Sequence, residues 1–171
     1  PVKTLLEFKA DNKLRLYTTE LPINQVVLVP YEIVDDYTIK VDRKSDRLFM
    51  FSKDSITSTI PSYTHLKLLK QSGKNELSGK TFTGSYYKAN NQVLHPSFFY
   101  RFGENEISAG FKTDNVVRKT NYTTIGGIAA ISGVPGTQDV ELVTLVNQKL
   151  ETDYWSASNN THQHAALTEQ K

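Results

Sequence analysis

The feature that most constrains this chain is its rhythm. Short apolar-alternating segments recur about every ten residues, separated by polar turn residues, which is the spacing of an antiparallel sandwich or barrel. Residues 4–10 place Leu6 and Phe8 on one face. Asp11-Asn12 then suits a tight turn, because both residues tolerate positive φ. Residues 13–19 alternate again, with Leu14 and Leu16 opposite Arg15 and Tyr17. Residues 25–34 are almost continuously apolar and β-branched, which predicts a strand buried on both faces. Pro30 lies inside that run and implies an edge or a bend, because it cannot donate a ladder hydrogen bond.

The pattern continues past Asp35-Asp36. Ile39 and Val41 share a face, and residues 43–46 form a polar turn before Leu48, Phe49, Met50 and Phe51. Residues 62–70 fit strand or helix equally. Residues 71–79 read as a loop, and 80–89, 97–102 and 106–113 as strands. Residues 116–120 and 122–131 add more, and Gly126-Gly127 in the latter signals a bulge or a close backbone approach.

One stretch departs from this rhythm. Thr137 can cap a helix, and Asp139 and Glu141 would sit in its first turn, where the dipole favours carboxylates. Leu142, Val143, Leu145, Val146 and Leu150 fall within one helical arc, interrupted only by Lys149. The spacing predicts an amphipathic helix near residues 138–151. The expected fold is mainly β: about eight to ten short strands as a sandwich or open barrel with that C-terminal helix, with α+β as a variant. Val27, Val29, Leu48, Phe51, Phe99, Phe111 and Leu145 are the expected core. Residues 1–155 form the expected single domain, and 156–171 a polar tail that would be disordered alone.

Composition narrows the chemistry. The chain has no Cys, which excludes disulfides, thiolate metal sites and Cys nucleophiles. No apolar run approaches membrane-spanning length. No secretory pattern opens the sequence, and Pro1 suits a cytoplasmic start with the initiator Met removed. The two sequons, at Asn121 and Asn159, then carry little meaning. Charge is uneven: residues 62–119 are net +5 and residues 120–171 net −3. That asymmetry suits either phosphate contact or pairing between the two segments, within one chain or between copies.

No motif fixes a reaction. G-x-x-x-x-G-K-[ST], G-x-G-x-x-G and G-x-S-x-G are all missing. His162 and His164 form H-x-H, but only Asp153 or Glu169 offers a further metal ligand, so a solvated tail is the expectation. His65 is isolated, and His95, before Pro96, reads as a turn residue. Asp35, Asp36, Asp42 and Asp46 could gather around a hard cation, yet Arg43 and Lys44 among them indicate turn residues with ion pairs. Glu104 and Glu106 could serve a carbohydrate-cleaving site as paired carboxylates, a reading ranked last.

The aromatic block is the most unusual feature. Eight of the eighteen aromatics lie between Phe82 and Phe111, interleaved with Lys80, Lys88, Arg101 and Lys112. Core and interface packing come first for such residues. Tyr86, Tyr87, Lys88, Tyr100 and Arg101 could instead stack and neutralise single-stranded nucleic acid.

The resulting expectation is a non-enzymatic structural or assembly protein, made in the cytoplasm, such as a virion component of a virus or phage. It would pack against copies of itself or partner subunits through Leu142, Val146, Leu150 and Trp155. No catalytic residue, metal or other cofactor is expected, and no membrane partner. A single-stranded nucleic-acid-binding module is the alternative.

Overall fold

The computed structural model describes residues 3–171. Among the described residues every regular element is a strand, and the strands form two antiparallel sheets. The described residues divide into two units, one holding residues 5–16 and 26–70, the other holding 3–4, 17–25 and 71–171.

The six-stranded sheet is a meander. Its strands are β1 (Thr4–Phe8), β2 (Lys13–Thr18), β3 (Val27–Asp35), β4 (Thr38–Val41), β5 (Leu48–Phe51) and β6 (Ile56–Ser58), in sequence order, as a half-barrel. Short polar turns set it: Asn12, Asp42 and Arg43 all adopt positive φ, the geometry tight hairpins demand. Leu14, Val41 and Phe49 are buried on its inner face, and Phe8 meets the rings of Tyr31, Phe49 and Phe51 edge-on. Tyr63 and Leu66, from the ambiguous 62–70 stretch, are not in a strand; they pack onto this cluster from a loop. The strand expected to be buried on both faces is β3, and it is not. Leu28, Ile33 and Val34 are exposed, because β-branched density reports β propensity and not how many faces are covered.

The nine-stranded sheet is also a meander, and it curls back on itself. Its strands are β7 (Thr81–Lys88), β8 (Val93–Phe102), β9 (Glu106–Lys112), β10 (Asn115–Asn121), β11 (Thr123–Ile125), β12 (Ala129–Gly133), β13 (Val140–Val146), β14 (Lys149–Ser156) and β15 (Thr161–Glu169). Sequential neighbours pair throughout except β10 and β11, and β15 returns to pair with β7. The order β10-β9-β8-β7-β15-β14-β13-β12-β11 is therefore an up-and-down barrel, nearly closed, whose seam lies between β10 and β12. Phe82, Tyr86, Tyr100, Phe102, Ile107, Val143, Leu150, Ala165 and Leu167 fill its interior. Interior space is tight at Gly84, where an added Cβ would meet the Leu167 side chain at 3.0 Å.

The expected helix near 138–151 is absent. Those residues form the β13–β14 hairpin, with Leu142 opposite Asp153 and Val146 opposite Lys149. Two physical features disguise it. Pro135-Gly136 is a tight turn, with Gly136 at φ +75° and Thr137 N–H donating to the Val134 carbonyl at 3.1 Å. Thr137 thus closes a turn and caps no helix. Asn147 and Gln148 both adopt positive φ (48° and 64°), making a two-residue hairpin turn without the usual Gly. Because β13 is covered on both faces, its apolar run imitates a helical arc.

Residues 161–169, in the expected polar tail, form β15, hydrogen-bonded between β14 and β7. Of the expected core residues, Phe99 is buried, Val27, Val29, Leu48, Phe51 and Leu145 are half-buried, and Phe111 is exposed. The Gly126-Gly127 signal corresponds to a close backbone approach: a Cβ on Gly127 would lie 2.2 Å from the Lys74 carbonyl oxygen. Among the described residues no helix is long and apolar enough to cross a membrane.

Candidate functional site at the barrel mouth

Alternation along each barrel strand sends every second side chain inward. On β8 those are Phe98, Tyr100 and Phe102, and on β7 Phe82 and Tyr86. β10 contributes Arg118 and β13 contributes Glu141, which is 1% exposed. A carboxylate that deep must be paired, and it is. Arg118 Nη2 donates to Glu141 Oε2 at 2.7 Å, and the Tyr100 hydroxyl donates to the same oxygen at 2.7 Å. The Tyr86 and Tyr100 hydroxyls are 2.8 Å apart, and Ser132 Oγ reaches the other Glu141 oxygen at 3.4 Å. This network spans the barrel seam from inside, since β10 and β13 lie on opposite sides of it.

The surroundings hold these groups in defined protonation states. Burial, reinforced by the Glu141 charge, pushes the Tyr86 and Tyr100 phenols well above their ordinary value of 10.0. Burial works to lower the Arg118 pKa, but the Glu141 carboxylate together with the Tyr100, Tyr154 and Tyr86 phenols outweighs it, and the guanidinium stays charged. Arg118 lies over the rings of Phe98, Tyr100 and Tyr154 at 6.0, 5.8 and 5.3 Å, within cation–π range.

Tyr86, Tyr100 and Arg118 line the floor of a cleft of about 260 Å³ at one mouth of the barrel. Its walls are aromatic and apolar: His95, Phe98, Phe111, Val117 and Tyr154. Phe111 meets His95 at 4.8 Å and Phe98 at 5.6 Å between ring centroids. Asp139, Ser156 and Gln163 supply the polar rim. Asp139 is fixed by the Tyr154 hydroxyl at 2.5 Å and the Ala157 N–H at 2.8 Å. Burial first, and that bond second, raise the Tyr154 pKa, so the phenol stays a donor.

Of the residues named for nucleic-acid contact, only Tyr86 and Tyr100 are brought together, hydroxyl to hydroxyl. Tyr86 and Tyr100 point into the barrel, where both are buried. Tyr87 points outward and stacks on His164 at 5.7 Å. Arg101 lies over the Phe99 ring and donates to the Thr113 carbonyl, and Lys88 is exposed at the end of β7. Of the residues named as an interface, Leu142, Val146 and Leu150 are buried within the sheet, and Trp155 is half-buried against His162.

The other candidates resolve into local pairings. His162 is held by Asp153 at 3.0 Å and lies 3.6 Å from Glu20, while Thr19 donates to Asp153 at 2.7 Å. His164 contacts Asn91, and His65 contacts Thr64. Asp42 pairs with Lys44 and Arg47, and Glu106 with Lys119. His95 lies in β8 and not in a turn. Among the described residues no group of three or more His, Asp or Glu side chains could hold a metal ion.

Sequence reasoning missed Arg118, Asp139, Glu141 and Tyr154 as a site. The available signal was Glu141 inside Val140–Val146, a carboxylate at a position that strand alternation sends to the core. No protein-family model, curated protein or solved structure matches the chain.

Proposed function

We propose that this chain is a non-catalytic binding protein whose barrel mouth takes one small ligand. The observation that carries this reading is the cleft of about 260 Å³ with aromatic walls and a floor of fixed polar groups. Barrels of about eight strands either fill their interior or keep room for one small ligand, and ligand sites are concave, mostly apolar and punctuated by a few placed polar groups. A binding role suits the chemistry of the floor. Glu141 is tied to Arg118 and Tyr100 on the floor, and Asp139 is held in place at the rim by one bond to each oxygen, from Tyr154 and from Ala157.

Titration with the neutral fluorophore N-phenyl-1-naphthylamine tests this. Saturable enhancement at one site per chain is expected, weakened by Phe111→Ser at the exposed rim. No saturable binding, or binding indifferent to Phe111→Ser, refutes it.

A structural subunit that packs against copies of itself is a second reading. Its support is the exposed Leu28, Ile33, Val34 and Tyr37 on and beside β3, since clustered exposed apolar residues favour association. Native mass by light scattering tests it: a defined oligomer supports this reading, and a monomer at all concentrations removes it.

A further inference from the structure

The cleft's unused hydrogen-bonding capacity points to a ligand class, an inference that rests on the binding reading above. A guanidinium carries five N–H donors. In Arg118 only Nη2 is engaged, donating to Glu141 at 2.7 Å and more weakly to Tyr100 at 3.4 Å. Nε and Nη1 have no acceptor among the described residues. Neither is among the sealed, unpartnered buried atoms, and Arg118 lines the cleft. These donors are therefore open to whatever occupies it.

Asp139 supplies the complementary function. Each of its oxygens accepts one bond, from Tyr154 and from Ala157, whereas a carboxylate has about four acceptor positions. The cleft thus presents donors from its floor and acceptors from its rim, between the rings of His95, Phe98, Phe111 and Tyr154.

Charge decides the rest. The cleft and its directly bonded partner hold one cation, Arg118, against two carboxylates, Glu141 and Asp139. An anion entering this low-dielectric site meets net repulsion. A compact cation finds the best aromatic faces, those of Phe98, Tyr100 and Tyr154, already taken by the guanidinium. What fits is uncharged, flat enough to lie along aromatic walls, and able both to accept and to donate.

We infer that the barrel mouth binds a neutral planar heterocycle bearing a ring carbonyl and a ring N–H, with the carbonyl on Arg118 and the N–H on Asp139. A nucleobase, a lactam or a cyclic urea has this chemistry. The phosphates of a polynucleotide are not part of the recognition, because no lysine lines the cleft and its one arginine is paired.

Isothermal titration with three bicyclic probes of similar size tests this: quinazoline-2,4-dione, naphthalene and 2-naphthoate. The dione carries the neutral donor–acceptor edge, naphthalene has no polar edge, and naphthoate carries the charge. The dione should bind about tenfold or more tighter than either comparison. Asp139→Asn, which keeps an oxygen for Tyr154 but removes the charge, should weaken the dione and strengthen naphthoate. Equal or tighter binding of naphthoate by the native chain overturns the inference. Binding of N-phenyl-1-naphthylamine or naphthalene with no preference for the dione overturns the ligand class and leaves the binding reading intact. Failure of all four probes overturns both.

Discussion

Replacing Arg118 by Met removes the cation beneath the cleft while keeping an unbranched side chain in the same space. Glu141 is then left at 1% exposure with the Tyr100 hydroxyl at 2.7 Å and Ser132 at 3.4 Å as its remaining donors. Breaking a buried ion pair from one side costs about 3–5 kcal/mol, because the surviving charge stays desolvated. The reverse change, Glu141→Gln, strands the less buried partner. The Arg118 side chain is 16% exposed, reaches the cleft, and retains its three aromatic contacts. Its cost should be about 1–3 kcal/mol. Arg118→Met should therefore be the more damaging single change, and the double variant should cost less than the sum by about 2 kcal/mol or more. Urea unfolding followed by Trp155 fluorescence is the assay, since the single Trp lies in β14 of the barrel. Both singles within about 0.5 kcal/mol of the native chain, or the reverse order of damage, would refute a buried pair across the seam.

Three further outcomes follow from the geometry. Gln148 holds φ +64° in an exposed turn, so Gln148→Gly should stabilise the barrel by about 1 kcal/mol, read as a higher urea midpoint. Gly127→Ala would press a Cβ to 2.2 Å from the Lys74 carbonyl and strain a φ of +72°; a loss of about 3 kcal/mol or more is expected by the same unfolding assay. Tyr86, Tyr100 and Tyr154 have phenol pKa values raised above 10.0 in the fold, chiefly by burial. Their contribution is full below about pH 10 and is lost as pH rises toward the folded values. Phenolate absorbance should show these three of the nine tyrosines titrating only as the barrel unfolds.

The β rhythm was legible because polar turns and period-two alternation are local properties. Asp11-Asn12 and the 43–46 stretch mark real turns on that basis. The β13–β14 hairpin was not legible, because Asn147-Gln148 lacks the Gly that usually announces such a turn. A strand buried on both faces also loses its alternation. The site was hidden for a related reason. Glu141 reads as a helix-start carboxylate until its neighbours are known, and Arg118 comes from a strand on the other side of the seam. The aromatic block was visible, but which ring points inward depends on register. Tyr86 and Tyr87 are adjacent and face opposite sides of the sheet, and no composition argument separates them. Phe111 lies on an inward-facing position yet stays exposed, since it sits at the open mouth.

Amide and side-chain NMR mapping of bound N-phenyl-1-naphthylamine tests the binding claim most directly. The account predicts saturable shifts concentrated at His95, Phe98, Phe111, Arg118 and Tyr154, with the six-stranded sheet unmoved. Shifts centred on β3 and its neighbours, or scattered without saturation, would contradict it.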